Sequence, residues 1–108
     1  MKATRAFLVC VVVGRVVYQD SAEELALLVK SDGLEPVGLL DAKRDKPDPA
    51  FFIGSGKVDE LGELAHELHA DVVVFDVPLS AAQQRNIERA IELPVLDRTQ
   101  LILDIFRA

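Results

Sequence analysis

The 108-residue chain is short of several things, and each shortage removes a class of protein. It has one cysteine, Cys10, set inside the apolar run FLVCVVV. A lone thiol cannot close an internal disulfide, and that setting suits packing better than reactivity, so a disulfide scaffold is excluded. There are two histidines, His66 and His69, three residues apart in a helical pattern. Two imidazoles with no further spaced ligand do not make a zinc site; they read as solvated helix residues, and no metal site is expected. No apolar run approaches the ~20 residues that a membrane-spanning helix needs. Positive charge opens MKATRAFLVC, but no small-residue cleavage site follows its apolar run, so a cytoplasmic location is the default. No Ser-His-Asp or Cys-His arrangement can be argued either, and no residue is assigned a catalytic role.

Positive charge is also scarce. Twelve Lys and Arg face eighteen Asp and Glu, for a net charge of −6 and a pI near 4.8. That balance weighs against indiscriminate nucleic-acid binding. The acids concentrate in two helical stretches, at Asp20, Glu23, Glu24, Asp32 and Glu35, and at Asp59, Glu60, Glu63, Glu67 and Asp71. The bases gather elsewhere: Lys43, Arg44 and Lys46 in one charged stretch, then Lys57, Arg85, Arg89 and Arg98. One basic edge on an acidic molecule is the expected distribution.

What is present is globular. Half of the residues are apolar, too many for disorder, and the length suits one domain over residues 1–108. RAFLVCVVV (5–13) is the unbroken run expected of a strand covered on both faces. A helix follows, opened by Ser21 with Glu24 as a capping box and closed near Gly33. PVGLLD (36–41) reads as a strand and AKRDKPDP (42–49) as a proline-stiffened basic loop. AFFI (50–53) is a short strand or a loop anchor. Val58, Leu61, Leu64, Ala65 and Leu68 recur at helical spacing.

DVVVFD (71–76) is the cleanest strand pattern, and Ser80 with Gln83 opens a third helix. PVLD (94–97) is a last short strand. TQLILDIFRA begins a final helix capped by Asp97 or Thr99, with too many apolar positions for a single stripe. Such a helix expects a continuation or a partner. Strands alternate with helices throughout, so the fold class is α/β: a small three-layer domain with a mainly parallel four- or five-stranded sheet flanked by helices.

Gly54-Ser55-Gly56-Lys57 resembles the end of a phosphate-binding loop, but the full pattern G-x-x-x-x-G-K-[ST] fails. Its first glycine would fall at Phe51 and its magnesium-binding hydroxyl at Val58. Two readings remain for the stretch. It is a glycine-shaped turn into a helix, or it is a place where an anion meets the free N–H groups of Gly54, Ser55 and Gly56 beside Lys57. Asp41, Asp76 and Asp97 each follow a strand pattern. They would line the carboxyl edge of a parallel sheet, or serve as turn and cap residues. Asp76 and Asp97, with the glycine turn, are the nucleotide candidates.

Three stretches, RDKPDPAFFIGSGKVDEL, VVVFDVPLSAAQQRNIERA and VLDRTQLILDIF, together resemble the N-terminal domain of the HflX family of GTPases. The resemblance is strong over residues 34–106; before that only the strand and helix pattern agrees. It implies a parent protein in which a helical hairpin and a Ras-like domain, which uses GTP and magnesium, follow this domain. It also implies association with the large ribosomal subunit and its rRNA in the rescue or splitting of stalled ribosomes. Gly54, Gly56 and Lys57 match the family's GSGK turn; Gln84, Arg85 and Asn86 match its QRN, and Asp97 and Arg98 its DRT. Arg98 beside Asp97 suggests a local ion pair. No base-recognition motif or switch region of a GTPase occurs in these residues.

The expectation is therefore a non-catalytic recognition domain without a cofactor of its own, docking on rRNA through Lys43, Arg44, Lys46, Lys57, Arg85 and Arg98. The rivals are weak ATP or GTP binding at the sheet's carboxyl edge, and a homodimer formed through the final helix.

Overall fold

The computed structural model describes residues 4–14 and 21–107. Among these residues four strands and four helices alternate: β1 (Thr4–Val13), α1 (Ser21–Ser31), β2 (Leu34–Arg44), α2 (Ser55–Glu67), β3 (Val72–Phe75), α3 (Ala81–Ile91), β4 (Val95–Asp97) and α4 (Arg98–Arg107). The strands form one sheet in the order β2-β1-β3-β4, with every pairing parallel. This is the expected α/β class.

Strand β1 is central, which explains its unbroken apolar run. Phe7, Val9 and Val11 point to one face, where they meet Val58, Leu61 and Ala65 of α2 and Ile87 and Ile91 of α3. Ala6, Leu8 and Cys10 point to the other, where Leu25 and Val29 of α1 and Leu101 of α4 cover them. A strand with helices on both faces has no side to leave polar. The edge strand β2 alternates instead: Leu40 and Ala42 are buried, while Leu39, Asp41 and Lys43 are exposed.

The local signals for the helices hold where they can be seen. Ser80 Oγ accepts from Gln83 N at 3.1 Å and Gln83 Oε1 accepts from Ser80 N at 3.0 Å, a complete capping box. Gly33 follows α1 at φ +81°, a left-handed position that costs glycine nothing. The Ser21 capping box falls outside the described side chains.

One open alternative is decided and two local expectations change. AFFI, read as a strand or a loop anchor, is the loop anchor, with an isolated bridge between Asp48 and Phe52. Strand β2 runs to Arg44 and not to Asp41, because Val12 and Val13 of β1 continue to pair with Lys43 and Arg44. Gly14 N closes that ladder on the Arg44 carbonyl oxygen at 2.7 Å. Lys43 and Arg44 are therefore strand residues, with fixed direction, and the loop proper begins at Asp45. His69 lies beyond the end of α2 at φ +55°, so it shares no helix face with His66.

Candidate binding site at the carboxyl edge of the sheet

Parallel strands deliver their carboxyl ends, and the loops after them, to one edge of the sheet. The loop from Asp45 to Gly54, between β2 and α2, is the longest fully described segment there. It is held at many points. Asp48 Oδ2 accepts from Ala50 N at 2.9 Å and from Phe51 N at 2.8 Å, and Asp48 exchanges backbone bonds with Phe52. Phe52 sits at φ +65°, a strained conformation for a bulky residue that persists only where its surroundings enforce it. Here the enforcement comes from α3. Gln83 Nε2 donates to the Asp48 carbonyl oxygen at 2.8 Å, and Asn86 Nδ2 donates to that of Ala50 at 3.0 Å.

The loop leads into α2 through Gly54, its N-cap. No side chain caps this end and its first turn holds no acidic residue, unlike that of α1 with Glu23 and Glu24. Arg44 adds to the positive potential. A methyl group placed on Gly54 would stand 3.1 Å from Arg44 Nη1, so the guanidinium lies over the turn, steered by an Arg44 Nε bond to the Lys46 carbonyl oxygen at 3.3 Å. Beside it, Gly14, Lys43, Arg44, Asp45 and Lys46 line an open cleft of about 670 Å³. A helix N-terminus, a guanidinium and two ammonium groups gathered at one edge, with Asp45 the one acid in the cleft lining, can attract anionic oxygens.

The expected docking cations do not all share this place. Lys43, Arg44 and Lys46 line the cleft. Lys57 is in the first turn of α2, with Nζ 3.1 Å from Glu60 Oε2. Arg85 is exposed on α3. Arg98 pairs with Glu24 of α1, on the opposite face of the sheet, and not with Asp97. The Asp97 carboxylate is turned inward: Oδ1 accepts from Gln100 N at 2.9 Å and Oδ2 from Leu79 N at 2.9 Å. Gln100 Oε1 returns a bond from Asp97 N at 3.1 Å, so Asp97, and not Thr99, caps α4.

Asp76 is also engaged, accepting from Val11 N at 2.9 Å where β1 and β3 part. Both nucleotide-candidate carboxylates thus hold backbone. Among the described residues no group of three or more His, Cys, Asp or Glu could hold a metal ion. The Gly54, Ser55 and Gly56 turn needs no positive φ. Val58, at the position of a magnesium-binding hydroxyl, is buried in the core with its N–H on the Gly54 carbonyl oxygen at 3.1 Å. These residues do not fit a magnesium triphosphate.

Sequence reasoning passed over Asp48 and Gln83 as site residues and left the role of Asn86 open. The Asp-x-Ala-Phe spacing of an Asx turn was the visible signal for Asp48. Nothing local marks Gln83 or Asn86, whose partners lie 35 and 36 residues away.

Fold and site together describe a small open parallel α/β domain with three cations gathered at one cleft on the carboxyl edge of its sheet. The model of the family described as GTP-binding GTPase N-terminal matches residues 19–107, and the chain belongs to this family, the N-terminal domain of HflX-type GTP-binding proteins. It is 45% identical over 87 residues to the GTPase HflX of Escherichia coli (strain K12), covering 81% of this chain and 20% of that protein. With the GTPase HflX of Flavobacterium psychrophilum it shares 38% over 112 residues, covering 97% and 27%. The chain thus spans between a fifth and about a quarter of the length of these relatives. Among solved structures, SsGBP in complex with GDP resembles it with a TM-score of 0.73 at 20% identity, over 96% of this chain and 29% of that one. A GTP-binding protein from Sulfolobus solfataricus, also with GDP, gives 0.68 at 19% identity over 95% and 30%. At that identity the likeness speaks for the fold alone. Among the described residues no helix is long and apolar enough to cross a membrane.

Proposed function

We propose that this chain is the non-catalytic docking domain of an HflX-type GTPase, and that it helps the parent protein associate with the large ribosomal subunit in the cytoplasm. The observation behind this reading is the convergence of Lys43, Arg44 and Lys46 on one open cleft in a chain of net charge −6. A molecule so acidic is repelled by RNA over most of its surface, so a focused basic edge would orient the encounter. The clamped loop adds rigidity, which lowers the ordering cost of binding. On this reading GTP hydrolysis, with magnesium, and the release or splitting of stalled ribosomes are the work of the parent protein's GTPase domain acting with this one.

The test is binding of the chain to purified large ribosomal subunits across a range of salt concentrations. Binding should weaken as salt rises, and the triple replacement K43Q/R44Q/K46Q should flatten that dependence. Affinity that ignores salt, or that survives the triple replacement unchanged, defeats the proposal.

A second reading is favoured by the uncapped N-terminus of α2 beneath Arg44: weak binding of a nucleotide phosphate. Titration calorimetry with GTP and ATP decides it, and no heat at millimolar ligand removes it.

A further inference from the structure

Helix α3 uses four of its six polar side chains internally. Gln83 bonds Ser80 N and the Asp48 carbonyl oxygen; Gln84 Nε2 donates to the Val95 carbonyl oxygen at 2.6 Å. Asn86 holds Ala50, and Glu88 Oε2 accepts from Val95 N at 2.9 Å. Ile87 and Ile91 are buried. Two long polar side chains in the body of the helix remain, Arg85 and Arg89, both exposed and both outside the two ion pairs found among the described residues. Glu92, three residues past Arg89, is exposed and forms no ion pair with it.

Arg85 and Arg89 are four residues apart, so they rise from the same side of the helix at about 6 Å along its axis. Like charges at that spacing repel each other and disfavour the helix slightly. Neither side chain makes a hydrogen bond or an ion pair among the described residues. The exposed neighbours Ala81 and Ala82 are small and leave a partner room to approach.

We propose that this outer face of α3 is a second contact surface, taking adjacent phosphates of an RNA strand on Arg85 and Arg89. A guanidinium presents a planar fork of donors that matches phosphate oxygens, and two of them on a rigid helix meet a run of phosphates better than a single carboxylate. A polyanion also relieves the repulsion within the pair. The inference rests on the ribosome-docking reading above, and extends it from the cleft to a different element.

The experiment compares the wild-type chain, R85Q/R89Q and K43Q/K46Q for binding to large ribosomal subunits at several salt concentrations. Neither arginine has an internal partner, so R85Q/R89Q should fold normally, checked by circular dichroism. If α3 touches RNA, R85Q/R89Q binds more weakly, and its slope of log affinity against log salt flattens by about 1.4 to 1.8. Affinity and slope unchanged in R85Q/R89Q, but reduced in K43Q/K46Q, overturn the α3 face and leave the cleft reading standing. Weaker binding with an unchanged slope indicates a protein contact and overturns the RNA assignment. A wild-type chain that does not bind the subunit at all defeats the docking reading, and this inference with it.

Discussion

Asn86 Nδ2 donates to the carbonyl oxygen of Ala50 at 3.0 Å, tying the middle of α3 to a loop 36 residues earlier in the chain. Gln83 makes the parallel bond to Asp48, and between them the strained Phe52 turn is held in place. Replacing Asn86 by Ala leaves the Ala50 oxygen without that donor in a half-buried setting. The expected cost is about 1 kcal/mol in urea unfolding. Amide exchange should quicken at Phe51 to Gly54 before it does in the sheet. Protection there equal to the wild type would show that the loop does not depend on α3.

Gly38 lies against the ring of Phe7. A methyl group at this position would stand 2.7 Å from Phe7 Cε2 and 2.6 Å from Leu68 Cδ1. Phe7 is fully buried and cannot yield freely. Gly38→Ala should therefore destabilise the domain by roughly 1–3 kcal/mol, as overpacking does. A midpoint unchanged in thermal unfolding would mean that the edge strand shifts at no cost.

Asp97 joins the start of α4 to the loop after β3 through two backbone N–H groups. Asp97→Ala should cost about 1–3 kcal/mol, because a cap is lost and the N–H of Leu79 is left without its acceptor. Asp97→Asn keeps one acceptor oxygen for the cap but turns its amide NH2 toward the other backbone N–H, so it should recover only part of that loss. Chemical denaturation of the two variants side by side reads the difference. Equal losses would show that a single acceptor oxygen contributes nothing at this position without the second.

Glu92 ends α3 in the left-handed region at φ +58°, exposed, with its N–H on the Glu88 carbonyl oxygen at 2.8 Å. Glycine adopts this conformation without the penalty of a side chain, so Glu92→Gly is expected to stabilise the protein by about 0.5–1 kcal/mol after the entropy gained by the unfolded chain. The check is the denaturation midpoint, which should rise.

The ion pair of Arg98 with Glu24 joins α4 to α1. The two side chains are 34% and 54% exposed, so solvent screens them and Glu24→Gln should change stability by less than about 1 kcal/mol. A larger loss would reveal a role for this contact in docking α4.

The order of elements was legible in the sequence because it depends on short-range patterns. β1 announced itself by an unbroken apolar run, α3 by Ser80 with Gln83, and the end of α1 by Gly33. Family membership was legible for the same reason, since GSGK, QQRN and DRT are contiguous strings. The failure of the phosphate-loop pattern was equally local, set by Phe51 and Val58 at two positions of one motif.

Only the tertiary structure decided what the polar residues do. For Asp76 and Asp97 the sequence left open a free carboxylate at the sheet edge or a turn and cap role; each holds backbone, in one case from 65 residues away. The length of β2 was hidden too: Lys43 and Arg44 have no strand-like pattern of their own and are extended because Val12 and Val13 pair with them. Periodicity reports which face of an element is apolar. It is silent on which distant donor meets which acceptor, because that pairing exists only once β1 has taken the centre of the sheet and the crossovers have brought α3 beside the loop it clamps.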